Sequence, residues 1–135
     1  MIYHRPFSHF RVNHTALIAG NLGADHVVYS EPETKAALDG IQQVLQYPDE
    51  SSNVPVTVTR SLKDAVRITR ANEVILLDPR AEPREIPEDA ALVAVPVERM
   101  DDIDPDDFDD VVGVGAPVGE LAALAVALYD LVERG

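Results

Sequence analysis

Two segments of the sequence combine residue types that could do chemistry, and the first is a Gly-rich loop near the carboxyl end. Residues 111–135 read VVGVGAPVGELAALAVALYDLVERG, a short apolar run joined by this loop to an apolar helix. Gly113, Gly115 and Gly119 would let the backbone approach a ligand closely, and Pro117 would stiffen the loop. The pattern predicts a ligand-binding loop, with a tight strand-to-helix turn as the alternative. A dinucleotide fingerprint is excluded because the GxGxxG spacing is not met.

The second segment is the amino-terminal stretch 1–24, which contains no Asp or Glu. Its basic residues are His4, Arg5, His9, Arg11 and His14. An Arg fork can clamp phosphate, so the segment predicts a phosphate-binding surface with a local positive field, and a solvated surface is the alternative. The three imidazoles are five residues apart, which fits no single helical face, and no acid accompanies them. We therefore predict no metal site.

Composition narrows the class of protein. The net charge of −13 comes from 24 acidic residues against 11 Lys and Arg, and only Lys35 and Lys63 are lysines. This bias favours a salt-adapted, halophilic surface, and a generic acidic protein is the alternative. The absence of cysteine excludes disulfides and thiolate metal sites. The sequence has neither an apolar run of the ~20 residues that span a membrane nor a signal peptide, so we expect a soluble cytoplasmic protein without a membrane partner.

Strand and helix signals alternate, which predicts one α/β domain over residues 1–135 with a mostly parallel sheet and flanking helices. Val-rich runs predict buried strands at about 26–29, 54–59, 73–77, 91–95 and 111–114, and a further strand begins at Ile2 and Tyr3.

Helix start signals lie between these runs. The stretch from Ser30 to Glu33 has capping-box spacing and predicts a helix reaching Leu45. Ser61 predicts a cap for a shorter helix, and Asp104 followed by Pro105 predicts one helical turn. The first helix is expected over about 15–22.

The last helix is apolar almost all round. Its predicted core stripe is Leu121, Leu124, Leu128, Leu131 and Val132. Other apolar positions, among them Ala122, Ala123, Val126 and Tyr129, cover much of the remaining surface. A helix that packs on one side only carries a polar face. We therefore predict that a second face is buried in a homodimer through this C-terminal helix.

Read in order, these segments resemble the archaeal tRNA 2′-O-methyltransferases of the SPOUT class, which modify a cytidine in the T-loop of tRNA. That family opens with a strand, His-Arg, an Arg-rich turn, and a helix ending in Gly-Ala-Asp, and this chain reads YHRPFSHFRVNHTALIAGNLGAD. It closes with a strand, a Gly-Asn-Gln-Pro-His-Ser-Glu loop and an Ala- and Leu-rich helix. Here that stretch is VGVGAPVGELAALAVALYDL, which retains Gly115, Pro117 and Glu120.

The resemblance implies a C-terminal trefoil knot, a homodimer, tRNA as substrate, and S-adenosylmethionine bound by loops 78–84, 96–101 and 113–119. The implied cofactor-binding residues are Asp78, Pro79, Pro96, Glu98, Gly113, Gly115, Pro117 and Glu120. The implied catalytic residue is Arg11, which would hold phosphate and polarise the ribose hydroxyl. The implied RNA-binding residues are His4, Arg5, Arg11 and His14.

The chain departs from the family pattern inside these loops. The Tyr-Gly turn after the fourth strand is replaced by Asp78-Pro79-Arg80, and the His-Ser of the last loop by Val118-Gly119. Loops that hold a ligand through backbone groups tolerate such changes, so cofactor binding is expected to survive, while catalysis is the activity at risk. Two alternatives therefore stay open: a non-catalytic dimeric relative that serves as an RNA-binding or assembly module, and a small nucleotide-binding α/β protein.

Overall fold

Short Val-rich segments pair into one parallel sheet in the computed structural model, which describes residues 1–46 and 54–134. Within these residues the sheet has six strands in the order β3-β2-β1-β5-β4-β6, and every neighbouring pair is parallel. The strands are β1 (Ile2–His4), β2 (Val27–Ser30), β3 (Val56–Thr59), β4 (Val74–Leu77), β5 (Ala91–Ala94) and β6 (Asp110–Val112). The predicted α/β class with a mostly parallel sheet is confirmed.

Helices and two short 3-10 segments connect the strands. The α-helices are α1 (His9–Asn21), α2 (Lys35–Leu45), α3 (Leu62–Thr69) and α4 (Glu120–Arg134). The 3-10 segments are Val97–Asp102, called segment 97–102 below, and Pro105–Asp107. Both predicted caps of the shorter elements are confirmed, because Ser61 Oγ accepts from the Asp64 amide at 3.1 Å and Asp104 Oδ1 accepts from the Asp106 amide at 2.9 Å.

The two sheet faces carry separate cores, since alternate strand residues point to opposite sides. One face packs Tyr3, Tyr29 and Leu77 against α1, α2 and α4. The other packs Ile2 and Val93 against α3 and the 3-10 segments. Strands buried on both faces read as continuous apolar runs, which is why their positions could be predicted from the sequence.

The chain crosses the sheet on alternating sides in its second half. After β4 it passes over the α4 side, where Ile86 joins the core, and enters β5. Residues 95–109 cross on the opposite side, where Met100 and Phe108 pack, and reach β6 beyond β4. Helix α4 then returns to the first side and packs against α1. These crossings are compatible with the trefoil knot, whose closure stays a prediction.

Two expected helix starts were wrong. Helix α1 begins at His9 instead of about Thr15, because Ser8 Oγ caps it by accepting from the Arg11 amide at 3.2 Å. The capping box at Ser30 does not form, because the sheet includes Ser30 as the last residue of β2, in register with His4 of β1. Helix α2 is capped instead by Thr34, whose Oγ1 accepts from the Ala37 amide at 3.1 Å.

Helix α4 buries a narrower stripe than predicted. Its fully buried apolar side chains are Ala123, Leu124, Ala127 and Leu128. Leu121 and Leu131 are half-buried, and Val132 is 49% exposed, so its assignment to the core stripe is wrong. The reason is that α4 packs mainly on α1 and the sheet, so the residues on its opposite side stay exposed in the single chain. No helix among the described residues is long and apolar enough to span a bilayer.

Candidate functional site

The predicted functional residues from both ends of the sequence meet at the carboxyl edge of the sheet. Strand order reverses between β1 and β5, because β1 continues to β2 and β3 on one side while β5 neighbours β4 on the other. Open α/β sheets bind ligands outside the carboxyl ends of the strands at such a reversal. Arg11, which follows β1, lies 2.7 Å from Glu98, which follows β5. The order of the strands in the sheet therefore brings the residues of the candidate site together.

A cavity of about 370 Å³ lies between the three loops predicted to bind the cofactor. Its volume lies within the range of roughly 300–1,000 Å³ typical of small-molecule sites. It is lined by Asp78, Pro79 and Arg80 of the first loop, by Val97, Met100 and Asp101 of segment 97–102, and by Pro117, Val118 and Gly119 of the last loop. The three loops are thus brought together around one space.

Backbone hydrogen bonds hold the first and last loops together. The Val114 amide donates to the Pro79 carbonyl at 3.1 Å, and the Gly115 amide donates to the Ala81 carbonyl at 2.8 Å. A Cβ at Gly113 would lie 2.0 Å from the Asp78 carbonyl oxygen, so only glycine fits there. The relative position of the first and last loops is therefore fixed by backbone contacts, while side chains form the lining of the cavity.

The structure does not place every predicted cofactor residue on the cavity. Pro96 and Gly113 are buried behind it, and Gly115, with φ +72°, lies nearest Pro83. Glu98 and Glu120 contact Arg11 instead. Their contact with a cofactor stays a prediction.

Glu120 is a buried carboxylate at the start of α4, with 2% of its surface exposed. Its Oε2 accepts from the Tyr3 hydroxyl at 2.6 Å and lies 3.5 Å from Arg11, and its Oε1 accepts from the Val97 amide at 3.3 Å. Burial, followed by the nearby Glu120 charge, raises the pKa of Tyr3, which therefore stays a hydrogen-bond donor. Glu120 thus ties β1, α1, segment 97–102 and α4 together.

Arg11 presents its guanidinium fork to Glu98. Both terminal nitrogens donate to the two Glu98 oxygens at 2.7 Å. This hydrogen bonding raises the pKa of Arg11 and lowers the pKa of Glu98. Arg11 is therefore permanently charged and can stabilise negative charge, but it cannot accept a proton.

A second ion cluster lies beside the first. Glu33 accepts from Arg5 and from Arg99, the latter at 2.8 Å, and Arg5 also lies 3.3 Å from Asp102. The guanidinium groups of Arg99 and Arg11 lie 4.7 and 5.3 Å from the centre of the Phe7 ring. The prediction that positive charge in residues 1–14 is not cancelled is therefore wrong for Arg5 and Arg11, because acids distant in sequence pair with both.

The predicted RNA-binding histidines lie in different environments. His4 is buried, with Nδ1 2.8 Å from Ser30 Oγ, and burial lowers its pKa. His14 is exposed on α1 and stacks on Phe10 at 4.0 Å. Only His14 of the two therefore presents its ring to solvent. In residues 1–46 and 54–134 no group of three or more His, Asp or Glu side chains is arranged to hold a metal ion.

Three residues of this edge were missed by the sequence analysis as parts of the site. Tyr3 was read as the start of a strand, Glu33 as part of a capping box, and Arg99 was not singled out. All three belong to strands or loops that end at the carboxyl edge, and a search for charged or hydroxyl side chains after each predicted strand would have found Glu33 and Arg99.

No protein-family model and no curated protein matches the sequence. Solved structures do share its architecture. A probable methyltransferase from Bordetella pertussis Tohama I has a TM-score of 0.68 at 16% identity, over 98% of this chain and 90% of that one. The SpoU methyltransferase AviRb from Streptomyces viridochromogenes, solved in complex with the cofactor AdoMet (S-adenosylmethionine), has a TM-score of 0.63 at 12% identity, over 98% of this chain and 58% of that one.

TrmJ from Z. mobilis ZM4 has a TM-score of 0.66 at 14% identity, over 98% of this chain and 67% of that one. At these identities the likeness concerns the fold. The class defined by the architecture is therefore that of the SpoU, or SPOUT, methyltransferase fold, as the sequence resemblance implied. The chain spans nearly the whole of the Bordetella protein but little more than half of AviRb.

Proposed function

We propose that this chain is an S-adenosylmethionine-dependent RNA methyltransferase. The observation that carries the proposal is the cavity between the three loops at the strand-order reversal. Arg11 lies beside this cavity, because it contacts Glu98 and Glu120. These two residues directly follow the lining residues Val97 and Gly119. The AdoMet complex of AviRb, which has the same fold, supports this choice of cofactor.

The side chains around the cavity suit the charges of S-adenosylmethionine. Asp78 and Asp101 offer carboxylates to its sulfonium and ammonium groups, and Arg80 offers a cation to its carboxylate. Val97 and Met100 supply apolar surface for the adenine ring. When bound, the cofactor supplies an electrophilic methyl group. The chain's own residues must then orient the acceptor oxygen and exclude water.

We further propose a ribose 2′-hydroxyl of tRNA as the acceptor, which rests on the resemblance of the opening segment. Arg11 would hold the phosphate beside that ribose and stabilise negative charge as the hydroxyl proton leaves to solvent. Because Arg11 remains protonated, it acts by charge and position. The acidic composition supports a salt-rich working medium, so activity is best measured over a range of KCl concentrations.

A homodimer through α4 is part of the proposal. Val126 and Tyr129 are 47% and 53% exposed and lie on the side of α4 opposite the core, together with Ala122. Burial of this stripe removes apolar surface from water, and a second copy of α4 presents a matching stripe.

Gly119→Ala is the sharpest test of the cofactor site. A Cβ at Gly119 would meet no atom within 4 Å, so the variant should fold normally and only narrow the cavity. Calorimetry should give S-adenosylmethionine binding for the wild type and about tenfold weaker binding for the variant. Methyl transfer is followed from labelled cofactor to bulk tRNA, and resistance of the product to alkaline cleavage identifies the 2′-oxygen.

The paired state of Arg11 favours a second candidate, a non-catalytic RNA-binding or assembly module. Both terminal nitrogens of the Arg11 guanidinium already donate to Glu98. Cofactor binding and RNA binding without methyl transfer would select this candidate. Absence of cofactor binding at millimolar concentration would contradict the enzyme proposal.

A further inference from the structure

The two carboxylates that contact Arg11 differ in how firmly they are held. Glu120 is 2% exposed and is also bonded to Tyr3 and to the Val97 amide. Glu98 has 43% of its side chain exposed and stands on the short segment 97–102. Glu98 can move into solvent because its side chain is partly exposed and stands on a short segment, whereas Glu120 is enclosed, stays in place and keeps the guanidinium oriented.

The geometry of the Arg11–Glu98 pair is that of phosphate recognition. Two parallel N–H···O bonds of 2.7 Å join the fork to the carboxylate. Carboxylate and phosphate oxygens accept from an Arg fork in the same bidentate manner. Arg11 is itself 28% exposed, so an anion from solution can reach the fork once Glu98 has moved.

Two further guanidinium groups and an aromatic ring lie beside this pair. Phe7 lies beneath the guanidinium groups of both Arg11 and Arg99, and Arg5 is held in the same cluster through Glu33. Three guanidinium groups thus lie close together, each paired with a carboxylate from another part of the chain.

We propose that the Arg11 fork is a phosphodiester site in which Glu98 stands in for the phosphate, and that an RNA backbone binds by displacing Glu98. The proposal deepens the proposed function and rests on it for the identity of the ligand. It also reassigns Glu98 from cofactor contact to competitor for the RNA site. Val97, Met100 and Asp101 of the same segment line the cofactor cavity, so the anion site and the cofactor cavity share segment 97–102.

The test is Glu98→Gln, which keeps the side-chain shape and removes the competing charge. The probes are inorganic pyrophosphate and bulk tRNA, titrated at several KCl concentrations. The matched control is Glu88→Gln, which changes net charge equally but lies before β5, at the opposite edge of the sheet. We expect both probes to bind roughly three- to fivefold more tightly to E98Q than to wild type, and no gain for E88Q.

Salt dependence gives a second readout. In the wild type, Arg11 loses its Glu98 partner when it binds a phosphate. The freed Glu98 charge then offsets the phosphate charge that Arg11 neutralises. E98Q should therefore steepen the slope of log K against log salt for tRNA by about 0.7 to 0.9. The double variant E98Q/R11Q should bind no more tightly than R11Q alone.

The outcomes separate this proposal from the proposed function. Equal pyrophosphate binding by E98Q and wild type overturns the displacement of Glu98, whatever tRNA does. A gain that persists in the R11Q background also overturns it. Tighter pyrophosphate binding in E98Q, with no tRNA binding by any variant, supports the anion site and contradicts the RNA function.

Discussion

The amino-terminal segment and the carboxyl-terminal loop were both predicted to be functional, and the structure builds them in opposite ways. In the loop 113–119, backbone hydrogen bonds to residues 79–81 hold the chain. In residues 4–11, side-chain ion pairs hold the chain, and each partner comes from elsewhere in the sequence. A loop held by backbone contacts depends on the space around its backbone, whereas a site built from ion pairs depends on each charge.

The largest expected effect tests the backbone-built region at Gly113. Gly113→Ala should destabilise the fold by about 3 kcal/mol, because its Cβ would overlap the Asp78 carbonyl oxygen at 2.0 Å and backbone must move. The free energy of unfolding in urea measures this loss. Gly119→Ala, in open space in the same loop, is the control and should change it by less than about 0.5 kcal/mol. Equal stability of the two variants would show that the contact between these loops is not tight.

The second largest effect is expected at Glu120, which joins the two regions. Glu120→Ala should cost about 2 kcal/mol, because it leaves the buried Tyr3 hydroxyl without its acceptor and Arg11 without its inner partner. Glu120→Gln keeps a carbonyl acceptor for Tyr3, so its free energy of unfolding should fall by less. Chemical denaturation of both variants measures the difference. If E120A unfolds at the wild-type urea concentration, Glu120 does not tie these elements together.

The exposed face of α4 gives a third contrast, between folding and assembly. Val126→Asp should leave the monomer folded, because Val126 is 47% exposed, but should prevent burial of that face in a dimer. Light scattering should give twice the chain mass of 14.7 kDa for the wild type and that mass itself for the variant. A matched substitution at exposed Ala36 on α2 should keep the dimer. A monomeric wild type at micromolar concentration would contradict the homodimer.

The smallest expected effect is the pH dependence of the ion-pair region. Hydrogen bonding from Arg11 lowers the pKa of Glu98 in the folded protein. The ion pair therefore stabilises the fold fully above the ordinary Glu pKa of about 4.3, and this stabilisation is lost as the pH falls through the lower pKa of the folded state. The unfolding free energy of E98Q should therefore decline less than that of wild type below about pH 4.3. Parallel pH profiles would mean that the pair does not form in solution.

Strand positions were predictable because strands covered on both faces read as Val-rich runs, as in β2 and β5. Helix boundaries were less predictable from the sequence. Ser30 and Thr34 are both good caps, and the choice between them depended on pairing of Ser30 with His4 across the sheet. The burial of Glu120 was also out of reach, since the Tyr3 hydroxyl that donates to it lies 117 positions away.

The sequence by itself determined the α/β alternation, the Gly-rich loop before the last helix and the apolar excess of that helix, because each depends on residues close together in the chain. The other two loops around the cavity were implied by the family resemblance. Only the tertiary structure decided that Arg5 and Arg11 are neutralised, and that Glu98 and Glu120 face Arg11 instead of the cavity. The physical reason is that the charge state and partner of a side chain depend on which strands are neighbours in the sheet. The order of β1 and β5 brings together residues that are nearly ninety positions apart.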